Sequence, residues 1–309
     1  MSDPLPPETL LPHPPLKVDA HQHFWRVADQ DQPWRTAHHA AIARDFTPED
    51  LVAAAAPVGV THTVLVESVD EPAENDRLAA FATHPMVAGV VAWAPLSEPE
   101  RARVELARLQ LDRLSGVRCL VGRDPLDWLA EPDVLALMRE LADRGVAWDV
   151  VPITGEQTQA VLALARAVPE LRIVVDHLGR PPVEVGGWQP WAAQLRDLSG
   201  CPNVAVKLSV GLDVLTAWPQ WSPAELRPYV GWLADCFGPQ RLMLASNWPV
   251  VTLRSTYAQA WSDLESIATD LFTSTDRQRV LAGTAVEWYA LTALEPNPHD
   301  LSTLSHPSN

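Results

Sequence analysis

The sequence predicts an α/β fold: a (β/α)8 TIM barrel built as one domain. Three observations carry that reading. Eight short apolar runs rich in valine recur along the chain, amphipathic helical patterns fill the intervals, and 309 residues at 47% hydrophobic content suffice to bury one large core. A doubly wound sheet shares these local patterns, but the count of eight, undivided by any linker, favours the barrel.

Taken in order, residues 1–15 are proline-rich and read as a flexible, extended arm, because successive prolines fix φ and remove amide donors. Strands are expected at Leu16–Asp19, Thr63–Glu67, Val87–Trp93 and Gly116–Leu120, then at Val146–Val151, Arg172–Asp176, Val204–Leu208 and Arg241–Ala245. Residues 48–59, 98–114, 132–145 and 223–238 read as helices, with Pro or acidic residues in first turns and Gly at several ends. Val134, Leu135, Met138 and Leu141 share one stripe, which reads as a core face. The barrel is assigned to residues 16–292, and residues 293–309 form a polar tail.

Charge narrows the partners. With 23 basic against 39 acidic residues the chain carries −16, a surface that repels phosphate backbones and anionic lipid. A small-molecule substrate is therefore expected, with no nucleic-acid or membrane partner, and association into a homo-oligomer is left open. Cys119, Cys201 and Cys236 sit apart in apolar contexts and read as reduced thiols. No apolar run is long enough to span a bilayer and the N-terminus has no basic segment leading into one, so a cytoplasmic protein is expected.

A barrel of this kind places its chemistry at the C-terminal ends of its strands. Those positions hold His21 and His23, Glu67, Trp93, Arg118, Asp149, Asp176 with His177, Lys207 with Ser209, and Ser246 with Asn247. A His-x-His spacing alone is a weak signal, and two structural histidines would satisfy it. On an extended strand, however, residues i and i+2 point the same way, so both imidazoles can face the axis. His177 follows an apolar run and precedes a turn, which makes it a third inward candidate. Asp149 and Asp176 read either as partners for loop amides or as carboxylates that orient a histidine. Arg118 and Lys207 suit a carboxylate or polyhydroxy substrate, and equally an ion pair at the rim. Trp25, Trp93 and Trp248 lie beside strand ends, where an indole face can pack on a ring compound. Pocket specificity is expected in the loops 24–47, 121–131 and 178–190.

Several motifs then coincide: VDAHQHFW at 18–25, GVR at 116–118, LADRGVAWDV at 141–150, LRIVVDHLGRPP at 171–182, NVAVKLS at 203–209, FGPQRLMLASNWPV at 237–250 and EWYAL at 287–291. In this order and spacing they resemble the amidohydrolase superfamily, and within it the amidohydrolase-2 group of fuconolactonase-like enzymes and 2-pyrone-4,6-dicarboxylate lactonase. The resemblance implies a barrel of the metal-dependent hydrolase type that opens a lactone of a sugar acid or carboxylated ring. It also implies that His21 and His23 stand near the substrate carbonyl or bind a divalent metal, zinc first.

Two departures bear on mechanism. Asn247 stands where the group carries an Asp, and the fifth strand offers WDVVPI in place of a histidine. An amide takes no proton at neutral pH, so water activation falls to His177 or Glu67, with Asn247 orienting the nucleophile. Polarisation of the carbonyl falls to His21, His23 and Arg118. Two other readings stay open: a nonoxidative decarboxylase of the same superfamily, and a catalytically inactive barrel that binds a ligand.

Overall fold

A computed structural model describes residues 15–109, 111–292 and 294. The expected arm, apart from Pro15, and the expected tail, apart from Leu294, lie outside the described residues.

Eight parallel strands follow one another in sequence order around a nearly closed barrel. They are β1 (Val18–Gln22), β2 (His62–Val66), β3 (Val87–Trp93), β4 (Leu114–Arg118), β5 (Ala147–Val150), β6 (Ile173–Val175), β7 (Val204–Leu208) and β8 (Leu242–Leu244). Helices α1 (Pro48–Ala55), α2 (Pro72–Phe81), α3 (Pro99–Arg108), α4 (Pro132–Asp143), α5 (Gly155–Ala167) and α6 (Trp191–Ser199) follow the first six strands in turn. Two more, α7 (Leu212–Ala217) and α8 (Pro223–Phe237), follow β7. After β8 come α9 (Tyr257–Leu271), α10 (Ser274–Gln278) and α11 (Thr284–Trp288). The seam between β1 and the end of β8 is joined by two bonds, Asn247 N to His21 O and His23 N to Trp248 O, each 2.8 Å.

Local sequence explains most boundaries. Proline opens α1, α2, α3, α4 and α8, where its fixed φ is helical and its missing N–H is no loss. Thr47 and Asp50 form a capping box at the start of α1, as Thr154 and Gln157 do at α5. The bounds of β3 and β7 match expectation, while β1 continues to Gln22 and so contains His21. The helix expected over 98–114 stops at Arg108: Leu109 turns extended, and Leu114 is claimed by pairing with Val90 of β3.

Two apolar layers hold the barrel. Its interior is filled by small and medium side chains such as Ala20, Val66, Val174, Ala205 and Met243, with Trp288 and Tyr289 of the C-terminal segment packed among them. Gly116 leaves room for that plug, since a Cβ there would meet Val91 at 3.0 Å and Tyr289 at 3.4 Å. Outside the strands, Leu65, Val175 and Leu244 pack against helix residues such as Leu137, Val161 and Leu233.

One irregularity positions the chemistry. Strict alternation along β1 would put His21 on the face opposite Val18 and Ala20, which belong to the interior layer. Pairing with β2 shifts register between Asp19 and Gln22. The Asp19 carboxylate holds this bulge, accepting from His21 N at 3.2 Å, Ser246 N at 2.8 Å, Ser246 Oγ at 2.6 Å and the Tyr257 hydroxyl at 3.2 Å. The extra residue re-aims the His21 ring inward.

Candidate active site

Inside the barrel His21 meets Asp176, which follows β6, and Lys207 of β7. Its Nδ1 lies 3.2 Å from Asp176 Oδ1 and 3.1 Å from Lys207 Nζ. Lys207 is fully buried and spans Asp149 at 2.6 Å and Asp176 at 3.0 Å. Tyr289 donates its hydroxyl to Asp149, so each buried charge has a partner.

Above this layer the imidazoles converge. His21 Nε2 and His23 Nε2 are 3.1 Å apart, and His23 Nδ1 meets the Val66 carbonyl at 2.8 Å. The His177 ring centroid is 4.5 Å from that of His21, and His177 Nδ1 pairs with Ser209 Oγ at 2.9 Å. Arg118 comes in from β4. Its Nε donates to Glu67 Oε1 at 2.7 Å, Nη1 to Asp176 Oδ2 at 3.2 Å, and Nη2 to the Glu67 carbonyl. Nη1 also lies 3.4 Å from His21 Nε2.

Burial dominates the protonation states. It lowers all three histidines, His23 to about 3 and His177 to about 4, assisted at His21 by the Lys207 ammonium and at His23 by the Arg118 guanidinium. They are neutral at physiological pH. Burial works against the Asp176 carboxylate, but Lys207 and His21 hold it well below the usual range, so it stays ionised. Burial pushes Glu67 up to about 8 against the pull of Arg118.

This donor set fits a divalent cation. His21, Asp176 and His177 each offer a ligand atom, all within 4.8 Å of one another, and all three residues are buried. The His21 and His23 Nε2 atoms are also about as far apart as two nitrogens bound to one small ion, roughly 3.3 Å at Zn–N distances of about 2.0–2.1 Å. When His21 Nδ1–H donates to Asp176 and His23 Nδ1–H to the Val66 carbonyl, both Nε2 atoms are unprotonated and their lone pairs face one another.

The cavity above the site is about 350 Å³. His23, Arg118, His177 and Asn247 line it, so these four expected site residues come together. Asn247 has φ 55° and donates Nδ2 to the Val210 carbonyl at 2.8 Å. The other expected residues lie elsewhere. Glu67 is fully buried behind Arg118, and Lys207 lies in the charged layer beneath the rings. Trp25 stacks against His23 with ring centroids 6.5 Å apart and gives its indole N–H to the Arg44 carbonyl. Trp248 packs against Phe24 and Phe46. Trp93 lines a neighbouring groove with Asp70 and Arg101.

The tryptophan in the cavity wall is Trp34, from the loop after β1. Two of the three loops expected to set specificity contribute, through Trp34 and through Val121 with Gly122, whereas the segment 211–213 lines the cavity in place of 178–190. Cys119 also borders it, but burial pushes its thiol up to about 12, which removes it as a nucleophile.

The amidohydrolase family model (Amidohydro_2) matches residues 18–291. The chain belongs to the amidohydrolase family. It is 34% identical to the L-fucono-1,5-lactonase of Burkholderia ambifaria over 89% of this chain and 96% of the relative. Identity to the L-fucono-1,5-lactonase of Burkholderia multivorans is 32%, over 92% of this chain and 98% of that one. Among solved structures, an amidohydrolase from Burkholderia multivorans with bound zinc superposes with a TM-score of 0.80 at 29% identity, covering 89% of this chain and 99% of its own. The histidine pair sits at the end of β1, and the cavity lined by His23 lies there. No helix among the described residues is long and apolar enough to cross a membrane.

Proposed function

We propose that this amidohydrolase opens a small cyclic ester, with the sugar-acid lactones of its relatives as the reference case, by water attack on the carbonyl. The observation that carries the reading is the convergence of His23, Arg118, His177 and Asn247 on one cavity. Two fuconolactonase relatives aligned along nearly their whole length supply the reaction class.

Arg118 places a fixed positive charge beside the imidazole pair, anchored by Glu67 and Asp176. An oxyanion forming at the carbonyl gains from that charge, which is itself buried. His177 is neutral, and with Nδ1–H donating to Ser209 Oγ its Nε2 accepts the proton of the attacking water. The same nitrogen returns the proton to the ring oxygen as the C–O bond breaks, leaving a hydroxy acid. Asn247 gives one of its two Nδ2 hydrogens to Val210, which fixes the amide plane and leaves Oδ1 to orient the water as an acceptor. Glu67 serves this scheme by holding Arg118.

His21 and His23 would hold a divalent cation, with Asp176 and His177 beside them. Zinc leads on this nitrogen-rich set and on the zinc-bound structural relative. When bound, such an ion withdraws electrons from the ester carbonyl. The net charge of −16 supports a small-molecule substrate over nucleic acid or anionic membrane, and three free cysteines support a reducing, cytoplasmic setting.

Acid release from a lactone panel, followed by pH-stat, tests this reading. Turnover by the wild type that falls about 100-fold in His177→Gln is expected from loss of a general base. An unchanged rate in that variant removes His177 from the chemistry.

A further inference from the structure

The walls of the active-site cavity differ from its floor. Around the imidazoles and Arg118 rise Leu120, Val121, Val151, Ile153, Leu212 and Val250, with the Trp34 ring among them. Leu120 is 45% exposed, and Val121, Val151, Ile153 and Leu212 are half-buried, so part of this apolar surface is left uncovered by the described residues.

The few polar groups in these walls are already engaged. Ser68 Oγ accepts from Gln30 Nε2 at 3.0 Å and donates to Glu74 Oε1 at 3.1 Å. Trp34 gives its indole N–H to the Ser68 carbonyl at 2.8 Å, and Asp213 is paired with Arg180. A ligand rich in hydroxyls would find few free partners on these walls, and each hydroxyl left unpaired there carries a cost. An apolar group meets no such cost.

The walls are also fixed in place. Gln157, fully buried in α5, accepts from Ile153 N at 2.8 Å and donates to the Gly122 and Asp124 carbonyls at 3.0 and 2.7 Å. One amide therefore ties the loop after β5 to the loop after β4. The Asp70 carboxylate accepts from Leu120 N at 3.0 Å and fixes that loop on its other side. Apolar surface held open in this way is a preformed pocket.

We infer that the substrate is a lactone bearing an apolar alkyl or aryl arm, seated against Val151, Ile153, Val121 and Leu212 while its ring carbonyl meets the histidines and Arg118. The inference rests on the lactonase reading for the bond that reacts, and on the walls alone for the arm.

Two measurements on the wild type test it. The first compares acid release from δ-hexalactone, δ-octalactone, δ-decalactone and L-fucono-1,5-lactone. The second measures binding of the matching δ-lactams, which are not hydrolysed, by calorimetry. Binding should tighten roughly four-fold for each added methylene, from the usual transfer free energy, and alkyl lactones should exceed fuconolactone in kcat/KM by at least about ten-fold. Ile153→Asn should flatten the chain-length dependence of lactam binding. Tighter binding of a polyhydroxylated lactam, or no dependence on chain length, overturns the inference. If the alkyl lactams bind in the expected order but no lactone is opened, the apolar-arm pocket stands and the lactonase reading falls.

Discussion

The Asp19 carboxylate accepts from both the backbone N and the Oγ of Ser246, at 2.8 and 2.6 Å, and so locks β1 to the residue that precedes Asn247. The same carboxylate receives His21 N, which fixes the bulge that turns the His21 ring inward. A single side chain therefore sets two parts of the site. Asp19→Ala is expected to cost about 2–3 kcal/mol in denaturant unfolding, through loss of hydrogen bonds to a charged acceptor. It should also lower kcat/KM roughly 100-fold by displacing His21, as small misplacements do. Stability loss with unchanged kcat/KM would show that the bulge does not position the histidine.

Arg118 and Glu67 form a second dependency. The fork of Arg118 reaches the Glu67 carboxylate, the Glu67 carbonyl and Asp176 at once, which a lysine cannot copy. Arg118→Lys is expected to retain the fold while kcat falls about 100-fold or more, as with loss of an oxyanion donor. Arg118→Ala should in addition destabilise by about 3–5 kcal/mol, because it strands buried carboxylates. Steady-state kinetics with unfolding curves for both variants separate the two effects.

Asn247 combines a backbone demand with a chemical one. Its φ of 55° lies in the left-handed region, where glycine is unstrained and alanine is not. Asn247→Gly should therefore keep the melting temperature close to wild type while lowering kcat more than it raises KM. A variant with wild-type kcat would exclude the amide from orienting water.

The buried lysine makes a stability prediction. Lys207 neutralises Asp149 and Asp176, both fully buried. Lys207→Met should destabilise by about 3–5 kcal/mol, and adding Asp149→Asn to it should recover part of that loss, because one stranded charge is removed. Additive losses in the double variant, measured by denaturant unfolding, would show the pair to be independent.

Much of this arrangement is legible in the sequence, for identifiable reasons. Valine-rich runs locate the strands, and β3 and β7 fall on their expected bounds because burial on both faces leaves little else to decide them. The inward histidines follow from strand-end position. The bulge does not, because the Asp19 carboxylate that holds it is itself fixed by Ser246, 227 residues away along the chain. Trp25, Trp93 and Trp248 are near strand ends in sequence, yet loop course and packing turn them to Phe46, to a neighbouring groove and to Phe24, while Trp34 reaches the cavity from mid-loop. Lys207 reads from the sequence equally as a substrate anchor or an ion-pair partner, and the structure places it between Asp149 and Asp176.

The most direct test is hydrolysis of a reactive lactone in water enriched in oxygen-18, with the product read by mass spectrometry for wild type and for His177→Gln. One heavy oxygen in the product carboxylate, formed rapidly by the wild type and about 100-fold more slowly by the variant, is the expected result. Carbon dioxide release without uptake of water, or heavy oxygen in the product hydroxyl instead of the carboxylate, would contradict attack at the carbonyl.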